Sequence, residues 1–151
     1  MRMSLNDIFK SQSILLNLQG ITKEAIFIEL ADAIGVVYPE CNKAVLLAAL
    51  WERENKMSTG IVSGVAVPHA SCKDIHTIAG AIGISHSGIE YGALDQKPVH
   101  VVFMLVMSNH CTENHLYVLN QILRLAQSEA LELIRNAKNA QDIHSILSRV
   151  R

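Results

Sequence analysis

The stretch VHVVFMLVM, residues 99–107, determines the fold that this 151-residue chain is expected to adopt. Every side chain in it except that of His100 is apolar, so the stretch lacks the alternation of polar and apolar residues typical of a strand with one solvated face. Strands that are covered on both faces have this composition, because both sets of side chains are buried. We therefore predict a central strand over residues 99–107, buried between two layers of other elements.

Two further segments have the composition of strands. Residues 61–67 and 77–85 are rich in β-branched and small side chains, with glycines between and within them. Residues 14–18, with the sequence ILLNL, are a third candidate. The middle of the chain is therefore predicted to supply most of a sheet.

Helical patterns lie on both sides of these strands. Thr22 is a predicted N-cap, and the apolar residues after it recur at helical spacing up to Gly35. A second helix is predicted from Asn42 onward. Helical periodicity returns at His115, and a last amphipathic helix is predicted near residues 143–150. This order predicts a single α/β domain in which a central sheet is flanked by helices on both faces.

Composition disfavours several classes of protein. Thirteen Lys and Arg residues stand against fourteen Asp and Glu residues, a formal net charge of -1. A nucleic-acid-binding protein usually carries a basic surplus, so no nucleic-acid partner is expected. The longest apolar run, residues 101–107, is far shorter than the roughly 20 residues of a membrane-spanning helix. The N-terminus, MRMSLNDIFKSQS, is polar where a signal peptide would be apolar. Three cysteines (Cys41, Cys72 and Cys111) cannot all pair within one chain. We expect a reduced, cytoplasmic protein without direct membrane insertion.

A proline fixes the approach to one of the seven histidines. In GVAVPHA, residues 64–70, Pro68 locks its own φ and biases Val67 toward an extended conformation. A stiff backbone therefore presents His69, as suits a histidine with a chemical role, although an ordinary exit from a strand would look the same.

Three histidines fall where a predicted strand meets a loop or helix, the edge at which ligands usually bind in α/β sheets. These are His69, His110 and His115. The remaining four are expected in structural or solvated roles: His100 as a partly buried, hydrogen-bonded strand residue, and as solvated surface His76 in a loop, His86 in a turn and His144 on the last helix.

The segment before His69 holds groups that could receive a phosphoryl group. A neutral imidazole can attack phosphorus while an arginine and hydrogen-bond donors stabilise the charge on the phosphoryl oxygens. Arg53 would be the arginine, Ser58 and Thr59 would donate from hydroxyl and backbone groups, and Gly60 would leave room for close approach. Arg53 has an alternative role, in which its positive charge interacts favourably with the dipole at the C-terminal end of its helix.

These residues carry a resemblance to a known family. ERENKMSTGIVSGVAVPHA, residues 52–70, resembles the phosphorylation-site signature of enzyme IIA domains of the fructose/mannitol/nitrogen class, in the bacterial phosphoenolpyruvate-dependent phosphotransferase system. GIEYGALDQKPVHVVFMLV, residues 88–106, resembles a second block of that family, and the helix that begins near His115 resembles a third. The matching positions of the first block are Arg53, Glu54, Ser58, Thr59, Gly60, Ile61, Gly64, Ala66, Pro68 and His69.

The resemblance implies a fold, a chemistry and partners. It implies one domain over residues 1–151 with a mixed central sheet, phosphorylation of His69, a second histidine at His115 that positions the phosphoryl group, and a cationic partner in Arg53. The donor would be the phosphocarrier HPr or a paralogue, the acceptor an enzyme IIB partner or a regulatory target, and no cofactor or metal is required. A carrier histidine must present one bare nitrogen, so the other is expected to hold its proton toward an acceptor such as a backbone carbonyl.

Two other hypotheses remain open from the residues alone. Zinc could be bound by a set drawn from six His and Cys side chains, although only His110 and His115 have a spacing typical of zinc ligands. A non-catalytic interaction module is the second, with phosphorylation used as a switch. The absence of a fused transporter segment favours the regulatory branch of the family. The six candidate ligands are His69, Cys72, His76, His110, Cys111 and His115.

Overall fold

A computed structural model describes residues 3–61, 63–108 and 112–150. In chain order the elements are α1 (Leu5–Ile8), β1 (Phe9–Leu15), α2 (Lys23–Val37), α3 (Lys43–Glu54), β2 (Val65–Ala66), β3 (His69–Ser71), β4 (Ile78–Ile89), β5 (Val99–Met107), α4 (Thr112–Ala126), α5 (Ala130–Arg135) and α6 (Ala140–Leu147). None of the helices described is long and apolar enough to cross a membrane.

The five strands form one mixed sheet around β5, which has the bounds predicted for it. β4 lies antiparallel to β5 on one side, and β1 lies parallel to β4 beyond it. On the other side β2 pairs with Val101 and Val102, whereas β3 pairs further along with Leu105 to Met107, both in parallel. β2 and β3 are therefore two parts of one interrupted edge. The expected single α/β domain with a mixed central sheet is confirmed.

Burial of β5 on both faces explains its continuous apolar sequence. Its alternate side chains enter two separate cores, because successive residues of a strand point to opposite faces. Val102 and Met104 pack in the core covered by α2 and α3. Phe103 and Leu105 pack in the core covered by α1, α4, α5 and α6. Helices therefore cover both faces of the sheet, as expected.

The predicted starts of two helices are confirmed by their caps. The Thr22 hydroxyl accepts a hydrogen bond from the N–H of Ala25 at 3.1 Å, and the Asn42 side chain accepts from that of Val45 at 3.0 Å. Each cap satisfies a backbone donor that has no partner within its helix. α3, which begins after Asn42, carries Arg53 in its last turn.

Several predicted bounds were wrong. β1 covers Phe9–Leu15 rather than residues 14–18, and it follows the short helix α1. The strand predicted over residues 61–67 is reduced to Val65–Ala66, because Ser63 and Gly64 have positive φ in the turn before it. The edge then continues beyond Pro68, whose carbonyl accepts from the N–H of Leu105 at 2.9 Å.

Candidate functional site

His69 is the first residue of β3, on the edge of the sheet, rather than the end of a strand as predicted. Its Nδ1 lies 2.8 Å from the carbonyl oxygen of Val67. A carbonyl oxygen only accepts, so Nδ1 carries the proton and Nε2 keeps a lone pair. The backbone of Val67 is itself held by its N–H, which donates to the Thr59 carbonyl at 2.9 Å. A fixed backbone carbonyl thus determines the tautomer of His69.

His115 lies beside His69, in the first turn of α4. The two ring centroids are 5.4 Å apart, with an angle of 70° between the ring planes. The Nε2 atom of His115 is buried and has no hydrogen-bond partner among the residues that the structure describes. A buried ring nitrogen of this kind can bind a polar group that enters the site, since leaving it without a partner costs free energy.

The two histidines open into a surface cavity of about 370 Å³. The guanidinium of Arg53 is oriented there by a hydrogen bond from Nη1 to the Met57 carbonyl, 2.8 Å long. Two positively charged side chains, Arg53 and Lys56, therefore face the space beside the imidazoles. The cavity is lined by Ala49, Glu52, Arg53, Lys56, His69, Ala70, Ser71, Met107 and His115.

Burial lowers the pKa of both histidines below the ordinary value of 6.5. At His69 the positive charge of Arg53 lowers the pKa further, whereas the hydrogen bond to Val67 and the negative charge of Glu54 act in the opposite direction. At His115 the neighbouring His69 adds to the effect of burial. Both imidazoles are therefore mainly neutral at pH 7, the form in which a ring nitrogen is nucleophilic.

The structure does not bring Ser58, Thr59 and Gly60 to the described lining of the cavity. The Thr59 N–H and hydroxyl donate to the Glu54 carboxylate at 2.9 and 2.6 Å, and the Ser58 hydroxyl accepts from the N–H of Gly60 at 3.1 Å. Gly60 is packed so closely that a Cβ atom there would lie 2.8 Å from the Tyr91 side chain. These bonds order the loop between α3 and β2, and a direct contact of its residues with a phosphoryl group stays a prediction.

No role was predicted for Lys56, and Glu54 was identified only as a matching position of the family signature. The buried Glu54 carboxylate binds Lys23 Nζ at 3.0 Å and the hydroxyl of Tyr91 at 3.2 Å, besides its two bonds to Thr59. It thereby fastens the end of α3, next to Arg53, to the loop before β2, to the segment after β4 and to the start of α2. For Lys56 a signal existed, since it lies three residues after Arg53 at the same end of α3.

The other described histidines lie away from this cavity. His100 is half-buried and its Nδ1 lies 2.9 Å from the Ser85 carbonyl, as predicted. His76 is exposed as expected. His86 is exposed but belongs to β4 rather than to a turn.

The expectation of a solvated His144 was wrong. Its side chain is half-buried, with Nε2 2.8 Å from the Asn6 carbonyl, so it links α6 to α1. For the zinc hypothesis, His110 and Cys111 lie outside the described residues. Within the described ranges, no three His, Cys, Asp or Glu side chains are grouped closely enough to hold a metal ion.

Comparison with known proteins gives matches over nearly the whole chain. A family model described as "Phosphoenolpyruvate-dependent sugar phosphotransferase system, EIIA 2" matches residues 7–150. The PTS system fructose-specific EIIABC component of Bacillus subtilis is 29% identical over 129 residues, which are 85% of this chain and 20% of that protein. The chain therefore spans about a fifth of the length of that relative.

Two solved structures have the same fold. Nitrogen regulatory protein IIA-Ntr from Neisseria meningitidis has a TM-score of 0.88 at 25% identity, with 95% of this chain and 98% of that one covered. The Escherichia coli complex of enzyme IIA-mannitol with phosphorylated enzyme IIB-mannitol gives a TM-score of 0.77 at 17% identity, with coverages of 93% and 99%. At this lower identity the second likeness is one of fold.

Proposed function

Because this chain belongs to the EIIA 2 family of the phosphoenolpyruvate-dependent sugar phosphotransferase system and is a phosphotransferase component that carries a phosphoryl group on histidine, we propose that the carrier atom is Nε2 of His69. One observation supports this assignment above the others. The Val67 carbonyl holds the proton on Nδ1, so the lone pair of His69 is on Nε2. His69 also lines the cavity together with Arg53 and His115.

The proposed step exchanges one phosphorus–nitrogen bond for another. The lone pair of His69 Nε2 attacks the phosphorus of a phosphohistidine on the donor protein, and the bond from phosphorus to the donor nitrogen breaks. The electron pair of that bond returns to the donor imidazole. The Nδ1 proton of His69 stays in its hydrogen bond to Val67, so the positive charge that develops on the ring is stabilised by the carbonyl.

Arg53, Lys56 and His115 have distinct proposed roles around the phosphoryl group. Arg53, held by the Met57 carbonyl, would neutralise charge on the phosphoryl oxygens, and Lys56 would add a second, more mobile positive charge. His115 Nε2, when it bears the proton of its ring, would donate a hydrogen bond to one of these oxygens. Ser58, Thr59 and Gly60 would support the site by ordering the loop beside Arg53.

The proposed donor is a phosphorylated HPr-like protein, and the proposed acceptors are an enzyme IIB partner or a regulatory target protein. The Escherichia coli enzyme IIA-mannitol is found in complex with a phosphorylated enzyme IIB, and the Neisseria relative is named a nitrogen regulatory protein. These two names support the two kinds of acceptor. Met57 and Leu116, adjacent in sequence to site residues, are each 60% exposed. Exposed large apolar side chains such as these suit a protein partner. We propose a cytoplasmic location, in keeping with the free thiols of Cys41 and Cys72.

Phosphorylation in vitro tests the assignment of His69. The chain is incubated with phosphoenolpyruvate, enzyme I and HPr, and its intact mass is read for the wild type, for His69→Ala and for the matched control His76→Ala, which alters an exposed histidine. We expect one acid-labile phosphoryl adduct in the wild type and the control, and none in His69→Ala. His115→Ala should still accept the group, about 100-fold more slowly, as expected for the loss of one donor to the phosphoryl oxygens.

The same reaction distinguishes the hypotheses. Phosphorus–nitrogen coupling in the NMR spectrum of the adduct should identify Nε2, and an adduct on Nδ1 would contradict the proposal. Transfer onward to a purified enzyme IIB supports a transport role, whereas capture of a partner by only one phosphorylation state supports regulation. An unmodified wild-type chain would contradict the assignment altogether.

A further inference from the structure

Two buried thiols lie in contact beside the strand that carries His69. Cys41 is in the loop between α2 and α3, and Cys72 directly follows β3. Their Sγ atoms are 3.8 Å apart. The two residues are 8% and 2% exposed, respectively, and both are free thiols. Phosphoryl transfer as proposed above uses neither of them.

We propose that Cys41 and Cys72 form a disulfide when a peroxide oxidises them, and that this bond slows phosphoryl transfer to His69. The effect on transfer rests on the proposed function. The formation of the disulfide does not, because it depends only on the contact between the two sulfur atoms.

The geometry allows the bond to form with small movements. A disulfide has its sulfur atoms about 2.05 Å apart, so the thiols of Cys41 and Cys72 must approach by about 1.8 Å from their separation of 3.8 Å. Cys41 and Cys72 both lie outside the helices and strands. Connecting segments move more readily than the elements they join, so each backbone can supply part of the approach.

A movement of Cys72 would be transmitted to the phosphoryl site. The N–H of Cys72 donates to the Met107 carbonyl at 2.9 Å, and Met107 is the partner of Ser71 in the pairing of β3 with β5. Ser71 and Met107 both line the cavity in front of His69. A bond that pulls Cys72 toward Cys41 would therefore displace one wall of the site and the end of the strand that begins with His69.

The oxidation is balanced by one peroxide. One sulfur, as the thiolate, attacks a peroxide oxygen and the O–O bond breaks. The hydroxide that leaves takes up the proton that the thiol had released, so a sulfenic acid and water result. The second thiol attacks this sulfur, the S–O bond breaks, a second water leaves, and the S–S bond forms. Burial, together with the neighbouring Cys72, raises the pKa of Cys41 to about 12. Cys41 is therefore a thiol at neutral pH, so the reaction of its own sulfur with peroxide is slow.

The test uses the full chain and hydrogen peroxide. Reduced protein is treated with peroxide, freed of the oxidant, and divided between non-reducing peptide mapping and the enzyme I and HPr phosphorylation assay. Wild type is compared with Cys41→Ala and Cys72→Ala, and with Cys111→Ala as a matched control that removes the third cysteine. Each variant is assayed before oxidation as well, so that any loss of folding is seen in the reduced state.

We expect a single cross-linked peptide pair containing Cys41 and Cys72. The cross-linked chain should accept the phosphoryl group about tenfold more slowly, since displacement of a reacting group by about 1 Å can cost up to about 100-fold in rate. Dithiothreitol should restore the rate of phosphorylation. Cys111→Ala, the control, should behave like wild type. Peroxide should not change the phosphorylation rate of Cys41→Ala or of Cys72→Ala.

Different results would overturn the two parts of the proposal, the disulfide and its effect on transfer. Absence of the cross-link, or a cross-link through Cys111, would exclude the pair as the site of oxidation. A cross-linked chain that is phosphorylated as fast as the reduced one would exclude the effect on transfer. Failure of the reduced chain to accept a phosphoryl group would overturn the proposed function and with it the effect on transfer, whereas the peptide map decides the disulfide in either case.

Discussion

At the scale of single residues, the pKa of His69 depends on opposing influences. Burial and the guanidinium of Arg53 lower it, and the Val67 carbonyl and the carboxylate of Glu54 raise it. The lowering influences prevail, so the pKa is below the ordinary 6.5. The hydrogen bond to the Val67 carbonyl raises the pKa and also fixes the tautomer. It therefore orients the ring but lowers the fraction of neutral, nucleophilic imidazole at low pH.

Replacing Arg53 should change the pH dependence of transfer in a defined direction. Since the positive charge of Arg53 lowers the pKa of His69, Arg53→Gln should raise it. The rate of phosphorylation requires the neutral imidazole, so its acid limb should move to higher pH in the variant. Proton NMR titration of His69 and the rate profile between pH 5 and pH 8 measure the two effects separately.

Lys56→Gln is the control for this titration. Lys56 lines the same cavity, but the charges that shift the pKa of His69 are those of Arg53 and Glu54. The acid limb should therefore stay in place while the maximal rate falls. An unchanged His69 pKa in Arg53→Gln would show that the guanidinium does not act on this ring.

At the scale of elements, the end of α3 is attached to α2 and to two connecting segments through one buried carboxylate. Glu54 binds Thr59 in the loop that leads to β2, Tyr91 beyond β4, and Lys23 in the first turn of α2. Lys23 also lies over the Tyr91 ring, with its Nζ 4.3 Å from the ring centroid. Because Arg53 immediately precedes Glu54, the cluster determines where the guanidinium can lie relative to His69.

Glu54→Gln should weaken this attachment. The neutral amide has the size of the carboxylate but only one oxygen. If that oxygen accepts from Lys23 and the Thr59 N–H, as Oε2 of Glu54 does, the amide NH2 faces the Thr59 hydroxyl, which loses its acceptor. We expect a loss of about 1–3 kcal/mol in the free energy of unfolding. The pKa of His69 should fall as well, because the negative charge of Glu54 raises it.

Urea denaturation and NMR titration measure these two changes, with Glu52→Gln as the control. Glu52 is exposed on the same turn of α3, and its replacement should leave the free energy of unfolding within about 0.5 kcal/mol of wild type. Equal stability of Glu54→Gln and wild type would show that the carboxylate is not needed to hold the end of the helix.

At this scale, the sequence predicts those features that residues close to one another in the chain determine. The bounds of β5 follow from its own composition, and the caps at Thr22 and Asn42 follow from side chains that each bond a backbone N–H three residues away. β1 was misplaced because its pairing with β4 is irregular between Phe9 and Ile14. The regular alternation that marks a strand is lost there, and only the partner strand determines the register.

The features of the candidate site also differ in whether the sequence predicts them. The juxtaposition of His69 and His115 was implied by the family resemblance, and the expected carbonyl acceptor follows from the chemistry of a carrier imidazole. The engagement of Thr59 by Glu54 could not be predicted, because it depends on a buried carboxylate whose further partners, Lys23 and Tyr91, are distant in sequence. In the folded chain the Thr59 side chain is buried and donates to Glu54, a structural contact that its place in the sequence does not reveal.

At the scale of the whole molecule, the two histidines of the proposed phosphoryl site place a pH-dependent cost on folding. His69 and His115 both have a pKa below 6.5 in the folded chain, chiefly because both are partly withdrawn from water. In the unfolded chain both should titrate near 6.5. Between these values the unfolded chain binds more protons than the folded one, so protons favour unfolding in that range.

The free energy of unfolding should therefore be fully retained above pH 6.5 and fall as the pH drops through the lowered pKa values of the two histidines. The double variant His69→Gln, His115→Gln removes both groups, so it should lose less stability than wild type between pH 7.5 and pH 5.5. Urea denaturation at both pH values gives the four free energies required. Equal losses in the two proteins would mean that neither imidazole resists protonation in the folded state. The neutral nucleophile on which the proposed transfer depends would then be in short supply at mildly acidic pH, and the rate profile of the wild type should fall at the same pH as that of a free imidazole.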